Sequence, residues 1–231
     1  MKNYAILLAA GNSTRMQGID KLTLELSGKM VIEYSIETLF KHKLIDHITI
    51  VTSKNNSNKI QSIVSMNKYK KPFNFVEGGE TRFSSFVNAF KTITSSEITI
   101  IHDAARPFIN EKLISKSINI ANKYGAAVPV INHVDSAYIS QDSYTLSKHI
   151  DRSKLLSSQT PQAYKTKILY DAIEYAERNR IEFKYNDVAE FILETGCNPY
   201  VFKGSKYNIK LTSNEDLLLL KSIHQILNTH D

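Results

Sequence analysis

The sequence predicts an α/β fold: a Rossmann-like, mainly parallel sheet with helices on both faces, from which a β-hairpin arm protrudes. Three observations predict it. Short β-branched runs alternate with amphipathic helical stretches over about the first 130 residues, the mark of βαβ units. An apolar strand, Tyr4-Ala5-Ile6-Leu7-Leu8, leads straight into a loop of small residues. From 135 to 152 the alternation gives way to a polar, tyrosine-bearing stretch without a helical pattern.

Strands are expected at 4–8, 47–52, 73–76, 97–101 and 126–131, where β-branched and apolar residues run together. Between them, 31–42, 55–67, 82–93 and 111–124 carry apolar residues at spacings of three and four, which predicts helices. Asn110 before Glu111-Lys112-Leu113 reads as a helix start, and Gly125 after Tyr124 as its stop. The arm, 135–152, is expected to turn near Gln141-Asp142-Ser143. A lone hairpin is marginal in water, so it is expected to pack against something, with a second subunit the candidate. Helices over 165–180 and 187–195, a strand at 199–203 and a last helix from Asn214 to about Leu227 complete the chain, the run Leu217-Leu218-Leu219-Leu220 forming a core face.

At 231 residues the chain suits one domain, 1–231, and 42% hydrophobic with 23% charged residues is an ordinary globular composition. No apolar run reaches the roughly 18 residues of a membrane span, and Met1-Lys2-Asn3 enters a core strand rather than a signal peptide. A cytoplasmic location is expected. The single cysteine, Cys197, excludes an internal disulfide and a cysteine-rich metal site, and reads as a filler residue. A net charge of +6 raises the question of nucleic acid. The basic residues are scattered, however, as Lys41/Lys43, Lys68/Lys70/Lys71 and Lys203/Lys206/Lys210, with no arginine-rich stripe. They read as solvated lysines, with a local share for small anionic substrates and no nucleic-acid partner.

Chemistry is expected just after the strands, because ligands of open α/β sheets sit at the strands' carboxyl ends. The first candidate is Ala9-Ala10-Gly11-Asn12-Ser13-Thr14-Arg15-Met16, with Lys21 beyond it. Small residues let backbone N–H groups approach phosphate oxygens, and Arg15 and Lys21 add two cations. The bland alternative is a tight turn. The pattern is neither the dinucleotide fingerprint nor the Walker phosphate loop. It resembles the signature loop of nucleotidyltransferases that activate sugars and alditol phosphates.

Four further segments follow. Gly78-Gly79-Glu80-Thr81-Arg82-Phe83-Ser84-Ser85 offers two glycines against which a flat base can lie, with Ser85 as a hydrogen-bonding group; a bare turn is the alternative. In His102-Asp103-Ala104-Ala105-Arg106-Pro107, Asp103 at a strand end is a candidate Mg²⁺ ligand, its alternative being a cap. Arg106 is expected to pair with a carboxylate, and His102 to be a packed neighbour rather than a proton carrier. Last come Asp151-Arg152 with Thr160-Pro161-Gln162, and Asn208-Ile209-Lys210-Leu211-Thr212, in which Arg152 and Lys210 are candidate phosphate-gripping cations or simply surface charges.

Taken in order and spacing, these segments resemble the 2-C-methyl-D-erythritol 4-phosphate cytidylyltransferase family of the non-mevalonate isoprenoid route, with ribitol 5-phosphate cytidylyltransferases as close relatives. The resemblance implies a homodimer with interlocking hairpin arms, Mg²⁺ dependence, and transfer of CMP from CTP to an alditol phosphate. It implies that Arg15 and Lys21 stabilise the transition state, and that Arg152, reaching into the partner's site, and Lys210 position the alditol phosphate. Ala9, Ala10, Gly11, Asn12 and Ser13, with Gly79, Glu80, Arg82 and Ser85, correspond to the CTP-binding segments. Asp103, followed by Ala104, corresponds to the aspartate beside the triphosphate, and Asp135, Ser136 and Asp187 lie at positions near the alditol. Two departures stand out: Ser13 replaces a common second glycine, and Asp135-Ser136-Ala137-Tyr138 replaces a frequent Asp-Thr-Ile-Lys. A molybdopterin nucleotidyltransferase, and a non-catalytic nucleotide or RNA-binding module, are the rival readings. The first leaves Thr160-Pro161-Gln162 unexplained, and the second gives no reason for cations after successive strands.

Overall fold

The computed structural model describes residues 2–11, 20–181 and 184–229. In chain order these form β1 (Asn3–Ala9), β2 (Glu25–Leu26), β3 (Lys29–Met30), α1 (Val31–Lys41), β4 (His47–Thr52), α2 (Ser57–Met66), β5 (Phe73–Glu77), α3 (Arg82–Phe90), β6 (Ile98–Asp103) and α4 (Glu111–Tyr124). The second half adds β7 (Ala126–Asn132), β8 (Ala137–Ile139), β9 (Lys148–Ile150), β10 (Leu156–Ser158), β11 (Gln162–Lys165), α5 (Thr166–Arg178), α6 (Val188–Glu194), β12 (Tyr200–Lys203) and α7 (Asn214–Asn228).

The central sheet runs β10-β7-β11-β6-β1-β4-β5, with β12 also on β7. β1, β4, β5 and β6 are mutually parallel, as are β7 and β12. The period-two rule sorts its residues. In β1, Ala5, Leu7 and Ala9 join a core shared with α1, α2 and α4, whereas Ile6 and Leu8 join a second core with α3, α5 and α6. β6 does the same with Ile98 and Ile100 against Ile101. Helices therefore cover both faces, and β1, β4 and β6 at the centre of the sheet are buried along most of their length. The second core is built on rings, with Phe83 packing edge-on to Phe191 at 4.8 Å and to Tyr185 at 5.2 Å.

Helix ends follow the expected chemistry. The Asn110 side chain accepts from the Leu113 N–H at 2.9 Å, and α4 stops at Gly125, whose φ of 93° suits glycine. The Ser213 hydroxyl caps α7 in the same way, and Leu220 of the leucine run is wholly buried while Leu218 and Leu219 are exposed.

Two features depart from the expected order. β10 and β11 are antiparallel strands within an otherwise parallel sheet, and the β2–β3 ribbon is additional. Opposite β7, the seven-residue step from Leu156 to Ala163 faces the five-residue step from Asn132 to Ala127, so two extra residues bulge out between β10 and β11. That bulge holds Thr160 and Pro161, joined by a cis peptide bond. The arm is present: β8 and β9 pair antiparallel from Ala137 opposite Ile150 to Ile139 opposite Lys148. Its turn is tied by Asp142, whose Oδ1 accepts from the Tyr144 and Thr145 N–H groups at 2.9 and 2.8 Å. Cys197 is half-buried against the second core. Among the described residues, no helix is long and apolar enough to cross a membrane.

Candidate active site

The carboxyl ends of β1 and β6 open onto a cleft of about 380 Å³ lined by Ala10, Gly11, Lys21, Gly79, Glu80, Arg82, Ser85, Asp103 and Lys210 among others. A second lobe of about 180 Å³ is lined by Arg106, Ser158, Thr160, Gln162 and Asp187. Arg82, Asp103 and Lys210 line both. They form the wall at which the two lobes meet.

At that wall Asp103 is gripped from two sides. Arg82 Nε donates to its Oδ1 at 2.9 Å and Lys210 Nζ to its Oδ2 at 2.8 Å. Burial by itself would raise the Asp103 pKa, but Arg82, Lys210 and Arg106 outweigh it and hold the carboxyl well below the usual range. Reciprocally, burial works against the Arg82 charge, and Asp103 and Asp187 overcome it. Asp103 and Arg82 thus hold each other in their charged forms, with Lys210 on the carboxylate's other oxygen.

The second lobe has its own carboxylate. Asp187, at the N-terminus of α6, accepts from Gln162 Nε2 at 2.8 and 2.9 Å and from the Ser158 hydroxyl at 2.9 Å, with Arg82 Nη1 at 3.5 Å. The buried Tyr164 hydroxyl donates to Gln162 Oε1 at 2.9 Å, which sets the amide the right way round to donate to Asp187.

The loop after β5 owes its path to its glycines. A Cβ on Gly78 would lie 2.2 Å from the Ala10 Cβ and 2.9 Å from the Ser85 Oγ, and one on Gly79 would lie 2.3 Å from the Ser84 Oγ. The loop thereby comes against the β1 loop closely enough to form one wall of the larger lobe. The Ser85 hydroxyl, expected to meet a base or ribose, accepts from the Gly79 N–H at 3.1 Å and donates to the Thr81 carbonyl at 2.8 Å. Thr81 caps α3.

Lys21, Lys210, Ala10, Gly11, Gly79, Glu80, Arg82, Ser85 and Asp103 are thus brought into one cleft, and Asp187 into its second lobe. Asn12, Ser13 and Arg15 lie outside the described residues. Ala9 and Ala104 are wholly buried in the first core, where side chains have no access to a ligand; the cleft-lining alanines are Ala10 and Ala105. Arg152, Asp135 and Ser136 sit on the exposed arm rather than among the residues lining either lobe, and Arg152 donates to the Val134 carbonyl.

Arg106 corrects one expectation. Its Nη1 donates to the Asn208 carbonyl at 2.8 Å and its Nη2 to the Ser158 carbonyl at 3.5 Å, so it braces two backbone segments rather than pairing directly with a carboxylate. His102 is packed as expected, and burial pushes its pKa down to about 4. Sequence reasoning missed the Gln162–Asp187 pair and the Arg82–Asp103 ion pair. The signal for the first was the polar Gln162 placed directly after a proline in a strand.

Among the described residues, no group of three or more His, Cys, Asp or Glu side chains is gathered for a metal ion. Asp103 fits a divalent ion in the manner of Mg²⁺ at nucleotide sites, where one carboxylate joins substrate phosphates. Among the described residues, each of its oxygens accepts one hydrogen bond, which leaves lone-pair capacity for a cation.

Residues 4–225 match the family model described as 2-C-methyl-D-erythritol 4-phosphate cytidylyltransferase. A relative of that name from Clostridium tetani is 38% identical over 218 residues, covering 94% of this chain and 88% of its own. Another, from Clostridium acetobutylicum, is 35% identical over 223 residues and 96% of each chain. Among solved structures, a 4-diphosphocytidyl-2C-methyl-D-erythritol synthase from Anaerococcus prevotii matches with a TM-score of 0.84 at 29% identity, covering 97% of this chain and 96% of that one. Sequence and fold agree over nearly the whole length, and the chain belongs to the 2-C-methyl-D-erythritol 4-phosphate cytidylyltransferase family.

Proposed function

We propose that this chain transfers CMP from CTP to 2-C-methyl-D-erythritol 4-phosphate, giving 4-diphosphocytidyl-2-C-methyl-D-erythritol and pyrophosphate. The observation that carries the reading is the wall shared by two lobes, in which Arg82 and Lys210 flank Asp103. CTP occupies the larger lobe beneath the small-residue loop, and the alditol phosphate the smaller one, so the α-phosphorus and the attacking oxygen meet at the wall.

An ionised oxygen of the alditol phosphate attacks the α-phosphorus in line. The new P–O bond forms as the bond to the β-phosphate oxygen breaks, and pyrophosphate leaves with the electron pair. The nucleophile is already charged, so no general base is required, and the protein's work is positioning and charge neutralisation. Lys21 and Arg15 serve the triphosphate, Lys210 serves the incoming phosphate, and Asp187 accepts from alditol hydroxyls. Asp103 with the triphosphate would hold a divalent cation, Mg²⁺ being the expected ion, which supplies charge neutralisation at the phosphate oxygens.

The active form on this reading is a cytoplasmic homodimer in which the 135–152 arm carries Arg152 to the second copy's alditol phosphate. Support comes from the arm's surface: Tyr138, Ile139, Tyr144 and Leu146 are all exposed apolar side chains, with Tyr144 at 94%. The departure at Ser136 to Tyr138 lies on this same arm, where it shapes acceptor choice.

Pyrophosphate release from CTP tests the assignment, with 2-C-methyl-D-erythritol 4-phosphate, ribitol 5-phosphate and a molybdopterin as separate acceptors. Turnover is expected with the first at a kcat/KM at least tenfold above either rival, following the arithmetic of differential binding. Preference for ribitol 5-phosphate would overturn the acceptor. Inert CTP with all three would overturn the activity.

A further inference from the structure

His102 is fully buried beside Asp103, touches neither lobe, and has no part in the mechanism above. Its ring spans two groups: Nε2 lies 3.1 Å from the Arg106 carbonyl and Nδ1 lies 2.9 Å from the Thr160 hydroxyl. A carbonyl only accepts, so Nε2 carries the proton and Nδ1 accepts from the Thr160 O–H. With its proton committed to the ring, the Thr160 oxygen turns its lone pairs to the Asp103 N–H, which donates to it at 3.1 Å.

The fold explains why a side chain is needed there. The β6–β11 register sets Gln162 opposite Ile101, and continued it would set Thr160 opposite Asp103. The ladder stops instead at Pro161, which has no N–H. The Thr160 hydroxyl takes the Asp103 amide in place of a backbone carbonyl, and the freed Thr160 carbonyl accepts from Asn208 Nδ2 at 2.7 Å. Asn208 lies two residues before Lys210. One threonine, oriented by one histidine, therefore ties the strand end that carries Asp103 to the segment that carries Lys210.

We propose that His102 is a positioning residue for phosphoryl transfer, fixing the Thr160 hydroxyl so that Asp103 and Lys210 are held in register at the wall between the lobes. The inference rests on the cytidylyltransferase reading for its kinetic consequence, and on the hydrogen bonds alone for its structural one.

Two substitutions divide the ring's functions. His102→Asn places a carbonyl near the former Nδ1 and keeps an acceptor for Thr160; His102→Gln keeps a donor near the former Nε2 and gives up that acceptor. His102→Gln is expected to lower kcat on the order of 10- to 100-fold, the scale of a small misplacement at a reacting centre. His102→Asn should stay within about threefold of wild type, and Thr160→Val should reproduce the Gln defect. Combining Thr160→Val with His102→Gln should add little, because both break one chain of contacts. Amide hydrogen exchange at Asp103 reads the same bond without substrate: exchange should quicken in His102→Gln and Thr160→Val, and stay slow in His102→Asn. Equal kcat losses for Asn and Gln, or multiplying losses in the double variant, would reduce His102 to a core residue and overturn the proposal. Equal protection of Asp103 in every variant would overturn it even if the enzyme turned over none of the acceptors tried, and unaltered kinetics in His102→Gln would do so in an active one. Should His102→Gln not fold, Thr160→Val alone decides by the same two measurements.

Discussion

Lys210 and Asp103 meet at 2.8 Å from positions 107 residues apart, joining the segment after β12 to the end of β6. Because Arg82 holds the other carboxylate oxygen, Asp103 is the carboxylate that bridges these two cations at a wall that faces both lobes. Its neutralisation leaves Lys210 facing Arg82 without the shared carboxylate, with Asp187 as Arg82's remaining carboxylate neighbour. Asp103→Asn is therefore expected to cost about 3–5 kcal/mol of stability, the usual penalty for breaking a buried pair from one side. Turnover should drop by roughly 10²–10³-fold, as when one preorganised electrostatic group is lost. Denaturant unfolding and steady-state pyrophosphate release measure the two; a stable, active Asn variant would leave the wall without the role assigned to it.

If the arm serves a second copy, defects in different copies should complement. Arg152→Ala is expected to raise the KM for the alditol phosphate by about tenfold or more, in line with loss of a charge-assisted contact of about 1.5–3 kcal/mol. Lys21→Ala should lower kcat by roughly 10²-fold through the triphosphate. Mixed and allowed to exchange subunits, the two variants would form a dimer in which one site has both residues intact. Activity of the mixture above the sum of its parts is the expected result. A strictly additive mixture would place Arg152 in its own chain's site.

Much of this was legible in the sequence, because the parallel strands are apolar on both faces and the helices between them keep a regular period. Asn110 and Gly125 punctuate α4 as their chemistry requires. β10 and β11 were not legible: each is three or four residues long, and Pro161 between them removes the ladder donor that marks a strand. Spacing also has no means of showing that Arg82 reaches Asp103 from a different element, or that Arg106 turns to backbone carbonyls. Those contacts depend on where β6 ends relative to α3 and the Asn208 segment, which tertiary packing alone determines.

The Gly78 position offers a steric test of the larger lobe. Its would-be Cβ meets Ala10 Cβ at 2.2 Å, a rigid atom on the facing loop, so one loop must retreat from the other. Gly78→Ala should cost about 1–3 kcal/mol, the range for overpacking. Because both loops line the larger lobe, which the proposed function gives to CTP, the KM for CTP should rise more than the KM for the alditol phosphate. Equal effects on the two constants, measured by varying each substrate in turn, would separate this loop from nucleotide binding.

Acid stability should carry the signature of His102. Burial lowers its pKa to about 4 in the fold, from an unfolded value of about 6.5. Between those limits the unfolded chain binds a proton that the folded chain refuses, so stability is complete above about pH 6.5 and falls as the pH drops through that window. The shift corresponds to about 3 kcal/mol when fully expressed. Asp103, with its depressed pKa, acts in the same direction, and its loss sets in as the pH falls into the ordinary carboxylate range, where the unfolded chain's aspartate takes up its proton. Urea unfolding of wild type and His102→Asn from pH 7 to pH 4 isolates the histidine. The wild type should lose stability more steeply across this interval, so that the gap between the two proteins narrows towards pH 4. Parallel curves would mean that the imidazole does not resist protonation in the fold, against the burial that holds it neutral.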